Sequence, residues 1–127
     1  MDAPDLSGGP TAALARFAHA LDFAALTDAE KRATRRHFLD SLGACIAGLD
    51  QPMVKRALAL GAALAGGGDV PVLGSGVRTD LLWAIYLMAT SCHAIELDDG
   101  NREGSIHPGT VVVPAVLGLG YRLGASG

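Results

Sequence analysis

The chain has 127 residues, of which 50% are hydrophobic but only 5% aromatic, and this length fits one domain or part of one. Its formal charge of −3 and the lack of a long basic run argue against binding to nucleic acid. No apolar run approaches the about 20 residues of a membrane-spanning helix, and the acidic start lacks the features of a secretory signal.

The beginning of the chain predicts a loose segment followed by helices. We expect residues 1–10 to be loose and residues 11–127 to form a partial helical domain. Residues 11–21 predict a short amphipathic helix because apolar side chains recur at helical spacing. The members of this apolar face are Leu14, Phe17, Ala18 and Leu21.

Thr27 and Glu30 have the spacing of a capping box, in which each side chain satisfies a free backbone donor of the other residue. A second helix is therefore expected from Asp28, with Gly48 as its natural end. Its predicted inner face consists of Phe38, Leu39, Leu42, Cys45 and Ile46.

A third helix is predicted from Pro52 to the glycines at 66–68, since proline suits the first helical turn and glycine ends helices. Residues 70–73 read as a short extended piece. The following Gly74-Ser75-Gly76 predicts a turn, because it lacks the lysine and spacing of a phosphate-binding loop.

The fourth helix is expected to be central, because it is apolar on most of its sides. Thr79 is its predicted cap, and the helix is expected over residues 80–96, where it presents His93 and Glu96.

A last helix or helix pair is predicted over residues 110–123. Pro114 either opens or kinks it, and Gly118 and Gly120 permit the close approach of another helix. Taken alone, residues 111–113 are also compatible with a strand.

Between these last two helices lies a polar loop that runs from Glu96 to His107. Its carboxylates and imidazole make proton transfer near neutral pH chemically available. Two other interpretations stay open. In the first, Asp98 and Asp99 cap backbone donors and His107 is solvated. In the second, a metal is bound by a set drawn from His93, Asp98, Asp99 and His107, but the irregular spacing leads us to assign no metal.

Cys45 and Cys92 each lie in an apolar stretch without a CxxC partner. We therefore expect buried, reduced thiols and a cytoplasmic protein.

Several short segments in this order resemble the opening part of MmgE/PrpD proteins. They are Leu39-Asp40-Ser41-Leu42-Gly43-Ala44-Cys45-Ile46-Ala47-Gly48, Val72-Leu73-Gly74-Ser75-Gly76, His93-Ala94-Ile95-Glu96-Leu97-Asp98-Asp99, His107-Pro108-Gly109 and Val113-Pro114-Ala115. The resemblance implies a mainly α fold, the N-terminal portion of the family's all-helical domain with the lid domain absent. It also implies a homodimer or a complementing chain.

Family members act without a redox cofactor on small di- and tricarboxylates, as 2-methylcitrate dehydratase, cis-aconitate decarboxylase or iminodisuccinate epimerase. The resemblance thus implies no cofactor here and a small carboxylate as substrate. The charge and the short apolar runs already argue against nucleic acid and membrane as partners. By motif position, Glu96 and His107 fall on residues that line the active site in the decarboxylase-like members, and Gly100 replaces a threonine. The reaction type therefore stays open.

Our leading hypothesis is a lyase or epimerase segment, incomplete when alone, that transfers a proton α to a carboxylate. Its expected catalytic residues are His107, Glu96, Asp98 and Asp99, and its expected substrate-binding residues are Arg102, His93 and Gly100. The alternative is a non-catalytic helical module that dimerises or pairs with a separately encoded remainder.

Overall fold

The computed structural model describes residues 8–65 and 67–126, and within these ranges the chain is mainly helical, as predicted. Residues 1–7 of the expected loose segment lie outside the described ranges. The elements are helices α1 (Gly9–Ala20), α2 (Asp28–Gly48), α3 (Pro52–Leu64), α4 (Leu81–His93) and α5 (Pro108–Leu123), strands β1 (Val70–Pro71) and β2 (Arg78–Thr79), and a 3-10 turn at Phe23–Ala25.

The chain divides into two compact units within α2, between Ala33 and Thr34. In the first unit, α1 begins two residues earlier than expected, and its buried residue is Ala12. The predicted apolar face is not covered, because Leu14, Phe17 and Leu21 are exposed.

The capping box at the start of α2 is confirmed. The backbone N–H of Thr27 donates to Glu30 Oε2 over 2.7 Å, and the backbone N–H of Glu30 donates to Thr27 Oγ1 over 3.3 Å. Each side chain thereby satisfies a donor that the helix leaves free, and α2 begins at Asp28.

In the second unit, α4 is central, as predicted: it contacts α3, α5 and both strands. Leu87 and Cys92 are fully buried on it. The predicted cap was wrong, because Asp80 takes that position. Its carboxylate accepts hydrogen bonds from the N–H groups of Leu82 and Trp83, whereas Thr79 ends β2.

The strands form an antiparallel hairpin in which Val70 pairs with Thr79. Gly74 and Gly76 adopt φ values of 72° and 74° in its turn, where glycine avoids the strain of a side chain. The Ser75 hydroxyl accepts a hydrogen bond from the N–H of Val77 over 3.0 Å. The predicted turn is therefore confirmed.

The inner face of α2 differs from the predicted one, because Leu39 and Ile46 are exposed. A methyl group built on Gly48 would lie 1.9 Å from the carbonyl oxygen of Ser91, so α2 and α4 meet too closely for large side chains. Small residues fill the contact instead. They are Ser41, Ala44, Cys45 and Gly48.

Helix α5 packs along α4 and contains Pro114 within its length. Residues 111–113 are helical, which excludes the alternative strand. A methyl group on Gly118 would lie 2.7 Å from Ile85 Cγ1, so the predicted close approach is found there. At Gly120 such a group would meet open space among the described residues.

Both cysteines are buried free thiols, and burial raises the pKa of Cys45 to about 11. Within the described ranges, no helix combines the length and apolar character needed to cross a membrane.

Candidate active site

The loop between α4 and α5 turns back on itself twice. Helix α4 ends at His93 rather than at residue 96, and Glu96 follows with a left-handed φ of 55°. Farther on, Asn101 and Ile106 form an isolated antiparallel bridge, and Asn101 Oδ1 accepts a hydrogen bond from the N–H of Gly104 over 2.7 Å. These reversals bring residues from both ends of the loop together.

Asp98 is the centre of this arrangement, and its side chain is 0% exposed. His93 Nδ1 lies 2.9 Å from Asp98 Oδ2, and the Thr110 hydroxyl donates to the same oxygen over 2.8 Å. His107 Nδ1 lies 3.2 Å from it. We call His93, Asp98 and His107 the His-Asp-His cluster. A buried carboxylate needs such partners, because an unpaired buried charge is costly.

The two imidazoles of the cluster pack edge to face, and both are partly exposed to solvent. Their ring centroids are 4.8 Å apart, and the rings meet at an angle of 64°. The side chains of His93 and His107 are 44% and 39% exposed. Within this partly open pair, however, His107 Nδ1 is itself buried, and it forms no aligned hydrogen bond despite its short distance to Asp98.

The electrostatics of the cluster favour an ion pair between Asp98 and His93. Burial raises the pKa of Asp98, but the hydrogen bonds from His93 and Thr110 outweigh that effect and hold the pKa below its ordinary value. The hydrogen bond to Asp98 raises the pKa of His93, although partial burial opposes the change. A carboxylate and an imidazolium in contact stabilise each other's charged forms.

Asp99, also predicted as catalytic, points away from the cluster. Its Oδ1 accepts a hydrogen bond from the N–H of Gly109 over 2.7 Å at the start of α5. His107 is the N-cap residue of that helix, but its side chain makes no capping bond. Asp99 therefore caps a backbone donor, as expected in the alternative in which both Asp98 and Asp99 have this capping role.

The other predicted site residues lie at the rim or in the exposed part of the loop. Glu96 Oε1 is 3.6 Å from His93 Nε2, and the Glu96 side chain is 76% exposed. Gly100 and Arg102 are exposed as well. The structure thus brings His93, Asp98 and His107 together, leaves Glu96 next to His93, and does not bring Arg102 or Gly100 into the cluster.

Sequence reasoning missed Thr110, which is the third residue of α5. The signal available was its position: a hydroxyl in the first turn of a helix can turn back toward the loop that precedes that helix. Ser41 on α2 was also missed as a neighbour of this region. Its Oγ would lie 2.4 Å from a methyl group built on Gly109.

The cluster also has the donor set of a metal centre. One potential ligand atom from each of His93, Asp98 and His107 lies within 4.8 Å of the others. Two imidazoles and a carboxylate suit zinc, iron or manganese. Asp98 already accepts hydrogen bonds from His93 and Thr110. These bonds are enough to explain why the carboxylate is buried, so the geometry does not require a metal.

A separate apolar groove of about 650 Å³ lies between the hairpin and α5. Phe38 and Met88 line it beside residues of those two elements, and Arg78 and Tyr121 supply polar groups. Neither the cluster nor the loop from Glu96 to His107 contributes to its described lining. Its volume suits a ligand or a packed segment, but its lining offers no acid or base for proton transfer.

Comparison with known proteins gives one positive finding. The family model of the MmgE/PrpD N-terminal domain matches residues 12–127. No curated protein and no solved structure gives a significant match. The family match covers every residue of the His-Asp-His cluster.

Proposed function

The chain belongs to the MmgE/PrpD family, and on this premise we propose that it supplies a proton-transfer site to a lyase or epimerase for small di- or tricarboxylates. The reaction removes or adds a proton α to a carboxylate, with dehydration, decarboxylation or epimerisation as its outcome. The observation that carries the proposal is the buried Asp98 carboxylate, against which the two partly open imidazoles lie.

His107 is the proposed general base or acid. The nearest partner of its buried Nδ1 is a carboxylate oxygen, which favours the tautomer that carries the proton on Nδ1. That tautomer leaves Nε2 with a lone pair. Pro108 follows directly and begins α5, and it disfavours a helical backbone at His107, whose φ of −112° and ψ of 86° lie outside the helical region.

His93 is the proposed cationic partner of Asp98. Its Nδ1 contacts Asp98 and its Nε2 faces Glu96, so both ring nitrogens meet a carboxylate. When His93 is protonated, a second positive charge on the neighbouring His107 is unfavourable, since the two rings are in contact. The pair therefore favours one charged and one neutral imidazole, which suits acid–base chemistry near neutral pH.

The acidic loop could be expected to repel a substrate with several carboxylates. Two of its carboxylates are already compensated: His93 and Thr110 bind Asp98, and Gly109 donates to Asp99. Water screens Glu96, whose side chain is largely exposed. We propose that Arg102, on the exposed part of the same loop, approaches a substrate carboxylate.

The test is exchange of a substrate α-proton with D₂O, followed by NMR. The substrates are methylcitrate, citrate, cis-aconitate and 2-hydroxy and 2-amino dicarboxylates, and the chain is assayed alone and with any separately encoded remainder. We expect His107→Ala to lower the exchange rate and turnover by about two to four orders of magnitude.

His37→Ala is the matched control, because His37 is exposed on α2 and its described hydrogen bond, from the Ser41 hydroxyl, is to its backbone carbonyl. It should retain full activity. Dialysis against a chelator should also leave the rate unchanged, since the proposed chemistry needs no metal. Full turnover by His107→Ala on whichever substrate is active would show that this assignment is wrong.

A second function, a non-catalytic helical module, is supported by a different observation. Many large apolar side chains are exposed on the described helices, among them Leu39, Leu82, Val111 and Leu123. Such surface is typical of a segment that another polypeptide covers. This alternative predicts tight binding to a second copy or to a complementing chain, with no proton exchange in any substrate.

A further inference from the structure

We propose that Thr110 is a positioning residue that keeps Asp98 from forming a hydrogen bond with His107 and so leaves His107 free to act as an acid–base group. This inference rests on the proposed function of His107 and deepens it. The residue acts through Asp98, because its described hydrogen bond joins its hydroxyl to that carboxylate.

The argument begins with the capacity of a single oxygen atom. A carboxylate oxygen has two lone pairs. At Asp98 Oδ2, the Thr110 hydroxyl at 2.8 Å and His93 Nδ1 at 2.9 Å both form hydrogen bonds, and the same His93 nitrogen lies farther from Oδ1, at 3.2 Å. His107 Nδ1 is only 3.2 Å away, yet it is buried and has no aligned hydrogen bond. Thr110 and His93 thus occupy both lone pairs of Asp98 Oδ2, and His107 Nδ1 lies close to this oxygen without a hydrogen bond to it.

The start of α5 positions Thr110 beside Asp98. Pro108 begins the helix, and Gly109 is fixed between Ser41 and Asp99, since a methyl group on it would lie 2.4 Å from Ser41 Oγ and 2.5 Å from Asp99 Oδ1. Thr110 follows directly and is half-buried. The backbone of Thr110 is therefore held beside Asp98, within reach of its carboxylate.

Removal of this hydroxyl would open one lone pair of Asp98 Oδ2 to His107. A new hydrogen bond from His107 Nδ1 would then form with that oxygen. His107 would share the carboxylate with His93 instead of remaining free of the ion pair between Asp98 and His93. The Thr110 hydroxyl therefore decides whether His93 alone, or both histidines, form hydrogen bonds with Asp98.

The other ionisable groups around the cluster are His93 and Cys92 on α4, Glu96 and Asp99 in the loop, and Asp40 on α2. Of these, Cys92 also loses a hydrogen bond when the Thr110 hydroxyl is removed. Burial raises the pKa of its thiol and the Thr110 hydroxyl lowers it, so the thiol stays uncharged near neutral pH in a Thr110 variant. A change in the Nδ1 proton of His107 would therefore report on the freed lone pair of Asp98.

The experiment is NMR of the histidine ring protons in the folded chain. In Thr110→Val we expect His107 Nδ1 to gain a slowly exchanging proton with a downfield resonance, because the freed lone pair of Asp98 accepts its hydrogen bond. Thr110→Ser keeps the hydroxyl and should give the unaltered spectrum. Thr90→Val is the matched control on α4, because the Thr90 hydroxyl donates to the carbonyl of Tyr86 over 2.8 Å and not to the cluster.

A His107 Nδ1 proton that still exchanges rapidly in folded Thr110→Val would overturn the inference. If that variant does not fold, the unaltered protein decides the question. We expect a slowly exchanging Nδ1 proton on His93 and none on His107, and a slowly exchanging proton on His107 Nδ1 would contradict the proposal. These readouts need no turnover, so they can succeed or fail separately from the loss of activity expected for His107→Ala.

Discussion

At the scale of single residues, Asp98 determines what the loop can do. A carboxylate with 0% exposure would be strongly unfavourable alone, and here two imidazoles and a hydroxyl surround it. Asp99 is its immediate neighbour in sequence but caps α5 instead. Identical side chains one residue apart therefore have different roles, because the backbone turns one toward His93 and the other toward Gly109.

The dependence of stability on pH provides a test of the pair between Asp98 and His93. The pKa of Asp98 is lowered by folding, so its contribution is present above the ordinary aspartate pKa and is lost as the pH falls through the lower folded value. The pKa of His93 is raised, so its contribution is present below the ordinary histidine pKa and is lost as the pH rises through the higher folded value. Stability from the pair is therefore greatest in mild acid.

In Asp98→Asn this maximum should disappear, because asparagine carries no charge at any pH. His93 is partly exposed, so solvent screens the pair, and we expect a loss of only about 1 kcal/mol near pH 6. Urea unfolding between pH 3 and 9 measures the effect. Asp50→Asn removes an exposed ion pair with Lys55 and should leave the pH profile unaltered. Parallel profiles for the unaltered chain and Asp98→Asn would contradict this account.

At the scale of elements, local chemistry predicted the starts of α2 and α3. The capping box set Asp28 as the start of α2, and Pro52 occupies the first turn of α3. Helix α5 begins at Pro108, two residues before the predicted start at residue 110, although proline in the first turn is the same signal that indicated the start of α3. The cap of α4 was placed on Thr79 instead of Asp80, because both residue types cap helices and only the pairing of Thr79 in β2 decides between them.

The contact faces of the helices were harder to predict, because hydrophobicity alone gave the large side chains of α2 as its inner face. The close crossing at Gly48 selects small residues instead, and it depends on Ser91, which lies in a distant part of the sequence. The same limit applied to the site. The sequence predicted the position of the loop and singled out its ionisable residues, but it did not distinguish Asp98 from Asp99 or indicate Thr110, because their contacts depend on how α5 meets the loop.

Two glycines of α5 give a matched test of helix packing. In Gly120→Ala the new methyl group meets open space, so the better helix propensity of alanine should raise the free energy of unfolding by about 0.5–1 kcal/mol. In Gly118→Ala the methyl group would lie 2.7 Å from Ile85 Cγ1 and 3.3 Å from Leu81 Cδ1, so overpacking should offset that gain.

We therefore expect Gly118→Ala to be less stable than Gly120→Ala by about 1–3 kcal/mol in urea unfolding. The two substitutions are identical in chemistry and lie two residues apart in one helix, so propensity cancels from the comparison. An equal increase in stability for both variants would show that α5 does not approach α4 at Gly118.

At the scale of the whole molecule, the described helices leave much apolar surface uncovered. On α5 this surface forms a stripe with helical spacing, and the groove of about 650 Å³ lies beside the same helix. The stripe consists of Val112, Val116, Leu119 and Leu123, all of them exposed. Contiguous apolar surface of this kind is typical of contacts with another polypeptide.

We expect the chain to self-associate, or to bind a complementing chain, through this stripe. Light scattering over a range of protein concentrations should show a mass above that of the monomer. The double variant Val116→Glu/Leu119→Glu should shift it toward the monomer, because association would bury two carboxylates without partners. Thr34→Glu, at an exposed position of α2, adds one carboxylate that is not part of the stripe and should not change the mass. A monomer at high micromolar concentration, with no binding of a dye that reports exposed apolar surface, would show that the stripe is not a contact surface.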